Sequence, residues 1–205
     1  MDQSNWLTAT NPFEMLGVLA QDPKERKLRL VACGICRQAI WKQLDEVSRS
    51  AVIAAECFAD GLVAREVMDE AGQAARRSYP AGVPTYGTPQ AAARDTTLRT
   101  GWLAASCAIV RAEDFPLACD IIRDVFDLSP FRPLPSRGSC INDEHVLNAA
   151  RKIYERQIYM RDEMIELAET LKKAGCQDAT ILEHCYQREP HVRGCWVTDL
   201  LLDRA

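Results

Sequence analysis

The stretch KERKLRLVACGICRQAIWKQL, Lys24 to Leu44, decides the fold class. It holds no proline and a single glycine, Gly34, and its apolar residues recur at helical spacing on two faces. Leu28, Val31 with Ala32, Ile35 and Ala39 make one face. Leu30, Cys33, Ile40 with Trp41, and Leu44 make the other. A surface helix carries one apolar stripe, so a helix apolar on two faces is packed from both sides. The pattern predicts a central helix over residues 24–44 with later helices around it. The fold class that follows is all-α, an irregular multi-helix bundle built from helix-turn-helix pairs.

Working outward, Asn11-Pro12 reads as a cap with proline in the first turn, and Phe13, Leu16 and Leu19 face inward. Asp22-Pro23 repeats that signal before the central helix. Ser48 is the expected cap of a helix using Val52, Ala55, Phe58, Ala59 and Leu62, and Ala64–Arg77 reads as an Ala-rich amphipathic helix. Pro80, Gly82, Pro84, Gly87 and Pro89 mark Tyr79–Pro89 as a loop. One helix is expected over 90–111 and another from Asp114 through Phe126.

The chain reads as a single helical domain, 1–205, with a candidate subdomain boundary at 129–138, where Pro130, Pro133 and Pro135 cluster. Beyond it, Val146, Ala150, Ile153 and Ile158 keep helical spacing, followed either by a break at 159–162 or by one unbroken helix to Lys173. Gly175 after Lys172 and Lys173 is a helix stop, because cations meet the carbonyl end and glycine takes the left-handed residue. Asp178 restarts the helix, and Pro190 is the expected start of the last one. No strand alternation and no fixed-period repeat is present.

The 205 residues are 47% hydrophobic and 26% charged, which suits a chain with a packed core. A net charge of -4 and a pI near 5.5 lack the concentrated basic face that duplex binding needs. No apolar run approaches the roughly 20 residues of a membrane helix, and Met1–Trp6 has no basic start leading to an apolar run. The expectation is a cytoplasmic protein with no membrane partner. Nine cysteines in that compartment are expected as reduced thiols rather than as a disulfide scaffold.

Chemistry concentrates in cysteine and histidine. Cys33 and Cys36 form a CxxC inside the predicted central helix, on adjacent sides. His184, Cys185, His191 and Cys195 form a second group near the C-terminus, which a helical hairpin would bring together as a tetrahedral zinc site requires. The spacing matches no standard finger or ribbon, and buried cysteines commonly act as small hydrophobes. A Cys–His nucleophile would need the base within reach and a lowered thiol pKa. His145 follows two acids at a helix start, where capping accounts for them, and it lacks the second histidine of HExxH. Glycine-rich phosphate loops and the serine-hydrolase elbow are absent, so no catalytic residue is assigned.

Five segments together carry a resemblance: Arg26–Cys33 with Cys36-Arg37, Ala59-Asp60-Gly61, Pro130-Phe131-Arg132-Pro133, His184-Cys185, and the closing His191-Val192-Arg193-Gly194-Cys195-Trp196-Val197. The chain resembles a set of helical proteins and domains of planctomycete-type bacteria, often found beside repeat-companion domains. That resemblance implies a shared fold and no particular activity. The leading expectation is therefore a non-enzymatic interaction or adaptor module for a protein partner, with Tyr79, Tyr86, Phe131 and Arg132 on the Pro-rich loops as contacts. The alternative is a structural or sensory zinc module using the Cys and His ligands above, and the third an enzyme whose acids assemble from several helices.

Overall fold

A computed structural model describes residues 1–21, 24–79, 87–127, 130–131, 142–156, 159–188 and 190–204. Among the described residues every regular element is helical and none is a strand. The chain divides into two compact units, Met1–Ile122 and Arg123–Ala205. The division falls within a helix, whereas the boundary expected at 129–138 lies further on and almost wholly outside the described residues. No helix among the described residues is long and apolar enough to cross a membrane.

The first unit contains α1 (Gln3–Thr8), α2 (Pro12–Leu19), α3 (Glu25–Ile35), α4 (Glu46–Ala59), α5 (Arg65–Arg77), α6 (Pro89–Asp95), α7 (Gly101–Ala112) and the start of α8 (Phe115–Phe126). The expected central helix is α3. Every residue from Lys27 to Ile35 is buried, and α3 packs against both α4 and α7. It does not run on regularly to Leu44. Cys36–Ile40 widens to a π-turn and Trp41–Gln43 tightens to a 3-10 turn, so Ile40 and Leu44 stay buried while Ala39 and Trp41 are half-buried.

Gly101 explains how closely α7 approaches α3. A Cβ there would stand 2.3 Å from the Glu25 carbonyl oxygen and 3.0 Å from the Arg29 nitrogen, both backbone atoms that cannot swing away. Where the sequence pattern suggested one helix over 90–111, α6 stops at Asp95 and α7 starts at Gly101, capped by the Thr100 hydroxyl. The cap of α4 is Asp45, which accepts from the Ser48 amide at 2.7 Å, rather than Ser48 itself. Asn11 caps α2 as expected, but Phe13 is exposed and meets Phe115 edge-on. The Asp22-Pro23 signal lies outside the described residues.

The second unit holds the end of α8 with α9 (Glu144–Tyr154), α10 (Arg161–Lys173), α11 (Ala179–Tyr186) and α12 (Trp196–Leu202). α9 and α10 are separate helices, so the unbroken alternative is corrected. Asp143 caps α9, and the stop after α10 has Gly175 at φ 86°. Asp178 caps α11 by accepting from the Thr180 and Ile181 amides. α9 packs on α10 and α12, and α10 on α11, around Ile153, Leu167, Leu171, Trp196 and Leu201. The last helix begins at Trp196, not Pro190, because a turn intervenes.

Candidate metal centre

That turn builds the site. The Cys195 amide donates to the Val192 carbonyl at 2.9 Å, and Gly194 takes φ 91° at the third turn position, where a type II turn demands glycine. The chain leaves the turn directly into α12, whose Asp199 amide donates to the Cys195 carbonyl. Cys195 and Trp196 are both fully buried as a result. His184 comes from the last turn of α11 and His191 from the connection to the turn, both buried. Asp124, near the end of α8 and 4% exposed, meets both histidines.

Asp124 collects three N–H donors. Its Oδ1 lies 2.7 Å from His191 Nδ1 and 3.2 Å from His184 Nε2, and its Oδ2 accepts from the Val192 amide at 2.8 Å. His184 Nε2 is also 3.1 Å from Cys195 Sγ. On its other side, His184 Nδ1 accepts from the Trp196 indole N–H at 2.9 Å. Because the indole only donates, Nδ1 of a neutral His184 ring is bare and Nε2 carries the proton. His191 donates through Nδ1, which leaves its Nε2 buried without a partner.

Burial alone would raise the Asp124 carboxyl, but the facing and hydrogen-bonded His191 and His184 rings outweigh it and bring it down to about 2. Burial, reinforced by the Asp124 charge, pushes the Cys195 thiol well above its ordinary value. A cysteine nucleophile needs access and thiolate character, and this thiol has neither. The Cys195–His184 contact is therefore not a catalytic dyad in this arrangement.

As a ligand set the cluster is more persuasive. One oxygen, two nitrogens and one sulfur from Asp124, His184, His191 and Cys195 all lie within 4.8 Å of one another, and all four residues are buried. Among the described residues no other group of three or more such ligands comes together. Three of the sequence candidates thus converge. Cys185 stays outside the group, its thiol pushed up to about 12 chiefly by burial. Cys33 and Cys36 lie in the core of the first unit, where Cys33 Sγ reaches the Val52 carbonyl at 3.8 Å and burial raises both thiols.

Asp124 went unnoticed in the sequence, although a signal existed: it falls three residues after Ile121, in phase with an apolar face. Of the expected partner contacts, the half-buried Tyr79 exchanges a hydrogen bond at 3.0 Å with Thr88, the cap of α6. Phe131 is half-buried, and Tyr86 and Arg132 lie outside the described residues. Comparison with protein-family models, curated proteins and solved structures finds no match to this chain.

Proposed function

We propose that the second unit is a sensory binding module for a transition-metal ion of the zinc class, with Asp124, His184, His191 and Cys195 as its ligands. The observation that carries this reading is the convergence of four buried O, N and S atoms within 4.8 Å. One thiolate, two imidazoles and one carboxylate make a donor set that zinc accepts in tetrahedral coordination. Hydrogen bonds hold the donor atoms together: Asp124 has three donors and His184 is engaged on both nitrogens.

Loading redistributes protons in a defined way. The Cys195 thiol proton leaves, the His191 proton moves from Nδ1 to Nε2, and the His184 proton moves from Nε2 to Nδ1. The last move breaks the Trp196–His184 hydrogen bond, so ion binding and that bond are mutually exclusive. One proton is released per ion, and apparent affinity rises about tenfold per pH unit while the thiol remains protonated in the empty site. The adaptor reading has no comparable observation behind it, since Tyr79 is engaged with Thr88.

Native mass spectrometry of the full chain titrated with zinc tests the proposal. The expected result is one ion per chain, removed by a chelator without loss of helicity, and lost in Cys195→Ser and His191→Asn but kept in a Cys33→Ser, Cys36→Ser double variant. Failure to retain any ion at equimolar zinc, or equal retention by Cys195→Ser, overturns it.

A further inference from the structure

A cleft of about 810 Å³ lies in the first unit, where residues from the start of α3, the end of α4 and the start of α5 meet the Arg99-Thr100 segment. Four arginines line it, Arg26, Arg29, Arg65 and Arg99, against two acids, Glu25 and Asp69. Two of these six groups are already committed. Arg26 pairs with Asp60 at 3.0 Å, and Glu25 accepts from the Gly101 amide.

The rest of the positive charge is poorly matched. Arg29 is buried, and its guanidinium donates to the carbonyls of Thr96, Leu98 and Arg99 at 2.6, 2.8 and 3.4 Å, with no carboxylate among the described residues bonded to it. Arg65 shares the Phe58 ring with Arg29, their guanidinium carbons 4.8 and 5.4 Å from its centroid. Two like charges are therefore held against one half-buried ring. Burial draws the Arg29 pKa down, and the Arg65 charge adds to the effect. The Arg99 guanidinium has no hydrogen-bond or ion-pair partner among the described residues, and the Arg65 guanidinium bonds only to the Arg99 carbonyl. α5 also begins at Arg65 with Ala64 in the cap position, so no side chain caps its first-turn N–H groups.

We infer that this cleft binds a small phosphate-bearing anion, with Arg65 and Arg99 as its guanidinium forks beside the first turn of α5, where the Val67 amide bonds to the Ala64 carbonyl and no side chain caps the turn. A phosphate suits the place better than a single carboxylate. Its three terminal oxygens can accept from two arginine forks and from helix N–H groups at once. Of the two acids that line the cleft, Asp69 has no hydrogen-bond or ion-pair partner among the described residues, and it opposes binding. Phe58 fixes where the Arg65 fork starts rather than contacting the ligand as a base-stacking platform, because its ring is already covered by guanidinium groups.

Calorimetric titration of the full chain with inorganic pyrophosphate at low ionic strength, with sulfate as the comparison anion, reads this directly. Arg65→Gln and Arg99→Gln should each weaken binding about tenfold, the scale of one charge-assisted contact. Asp69→Asn should tighten it roughly threefold, as expected for removing one exposed like charge near the ligand. The Asp69 variant keeps the test decisive if an arginine variant unfolds, which circular dichroism would report. No binding heat, binding unchanged in the arginine variants, weaker binding in Asp69→Asn, or sulfate binding as tightly as pyrophosphate would each overturn the inference.

Discussion

Replacing Asp124 by Asn should cost the second unit about 3 kcal/mol, and the geometry shows why. The carboxylate accepts from His191, His184 and the Val192 amide at 2.7, 3.2 and 2.8 Å, all in buried surroundings. An Asn side chain keeps one accepting oxygen and presents an NH2 where the other was. With the oxygen toward the histidines, the Val192 amide faces a donor; turned the other way, both histidines do. At least one buried donor is orphaned, at a cost of about 1–3 kcal/mol, and the remaining bonds fall from charge-assisted to neutral, losing roughly 1 kcal/mol each. Asn is cheaper to bury than a carboxylate, which returns part of the loss and favours the lower part of the resulting range. Urea unfolding followed by far-ultraviolet circular dichroism at neutral pH measures the difference. A loss under about 1 kcal/mol would refute the claim that Asp124 is the hub of this cluster. The acid limb gives a second reading. The folded carboxyl titrates at about 2 against an ordinary 3.8, so its contribution is present above about pH 4 and is lost as pH falls through 2. The gap corresponds to about 2 kcal/mol, and the Asn variant should lack that part of the acid destabilisation.

Trp196→Phe should destabilise the metal-free protein by about 1–3 kcal/mol through lost volume and the lost bond to His184, yet raise zinc affinity, because His184 Nδ1 becomes free to carry the proton. Unchanged or weaker zinc binding would contradict the proton assignment. Gly101→Ala should cost the first unit about 2 kcal/mol or more, since its Cβ meets the Glu25 carbonyl at 2.3 Å; a neutral outcome in urea unfolding would mean that α3 and α7 are less tightly apposed. In timed thiol labelling followed by peptide mapping, the half-buried Cys57 and Cys107 should react well before the buried Cys33, Cys36, Cys185 and Cys195. Early modification of Cys195 would show that the cluster opens readily without metal.

Much of this arrangement was legible in the sequence where the cause is local. The two apolar faces of Lys24–Leu44 pointed to a helix buried all round, and α3 is one, because that pattern only pays off when both faces find partners. Asn11, Asp178 and Gly175 act as a cap, a cap and a stop because short-range backbone bonding decides them. What the sequence concealed is tertiary in origin. Gly101 falls within the single helix expected over 90–111, and its role, to let α7 approach the α3 backbone, depends on a neighbour that is remote in the chain. Pro190 looked like a helix start, but the turn at Val192–Cys195 had first to aim His191 and Cys195 inward. Asp124 is 67 residues before His191, and no spacing rule links them. Three of the four clustered ligands drew notice because His and Cys are the side chains that zinc sites use most, while an acid on an apolar helix face attracts little until its partners are seen.

Zinc K-edge X-ray absorption on the full chain loaded with one equivalent of zinc tests the central claim most directly. The account predicts one sulfur at about 2.3 Å and three nitrogen or oxygen ligands at about 2.0–2.1 Å, with the sulfur shell lost in Cys195→Ser. A first shell of two or more sulfurs, or a sulfur shell unchanged in that variant, would place the ion elsewhere and contradict it.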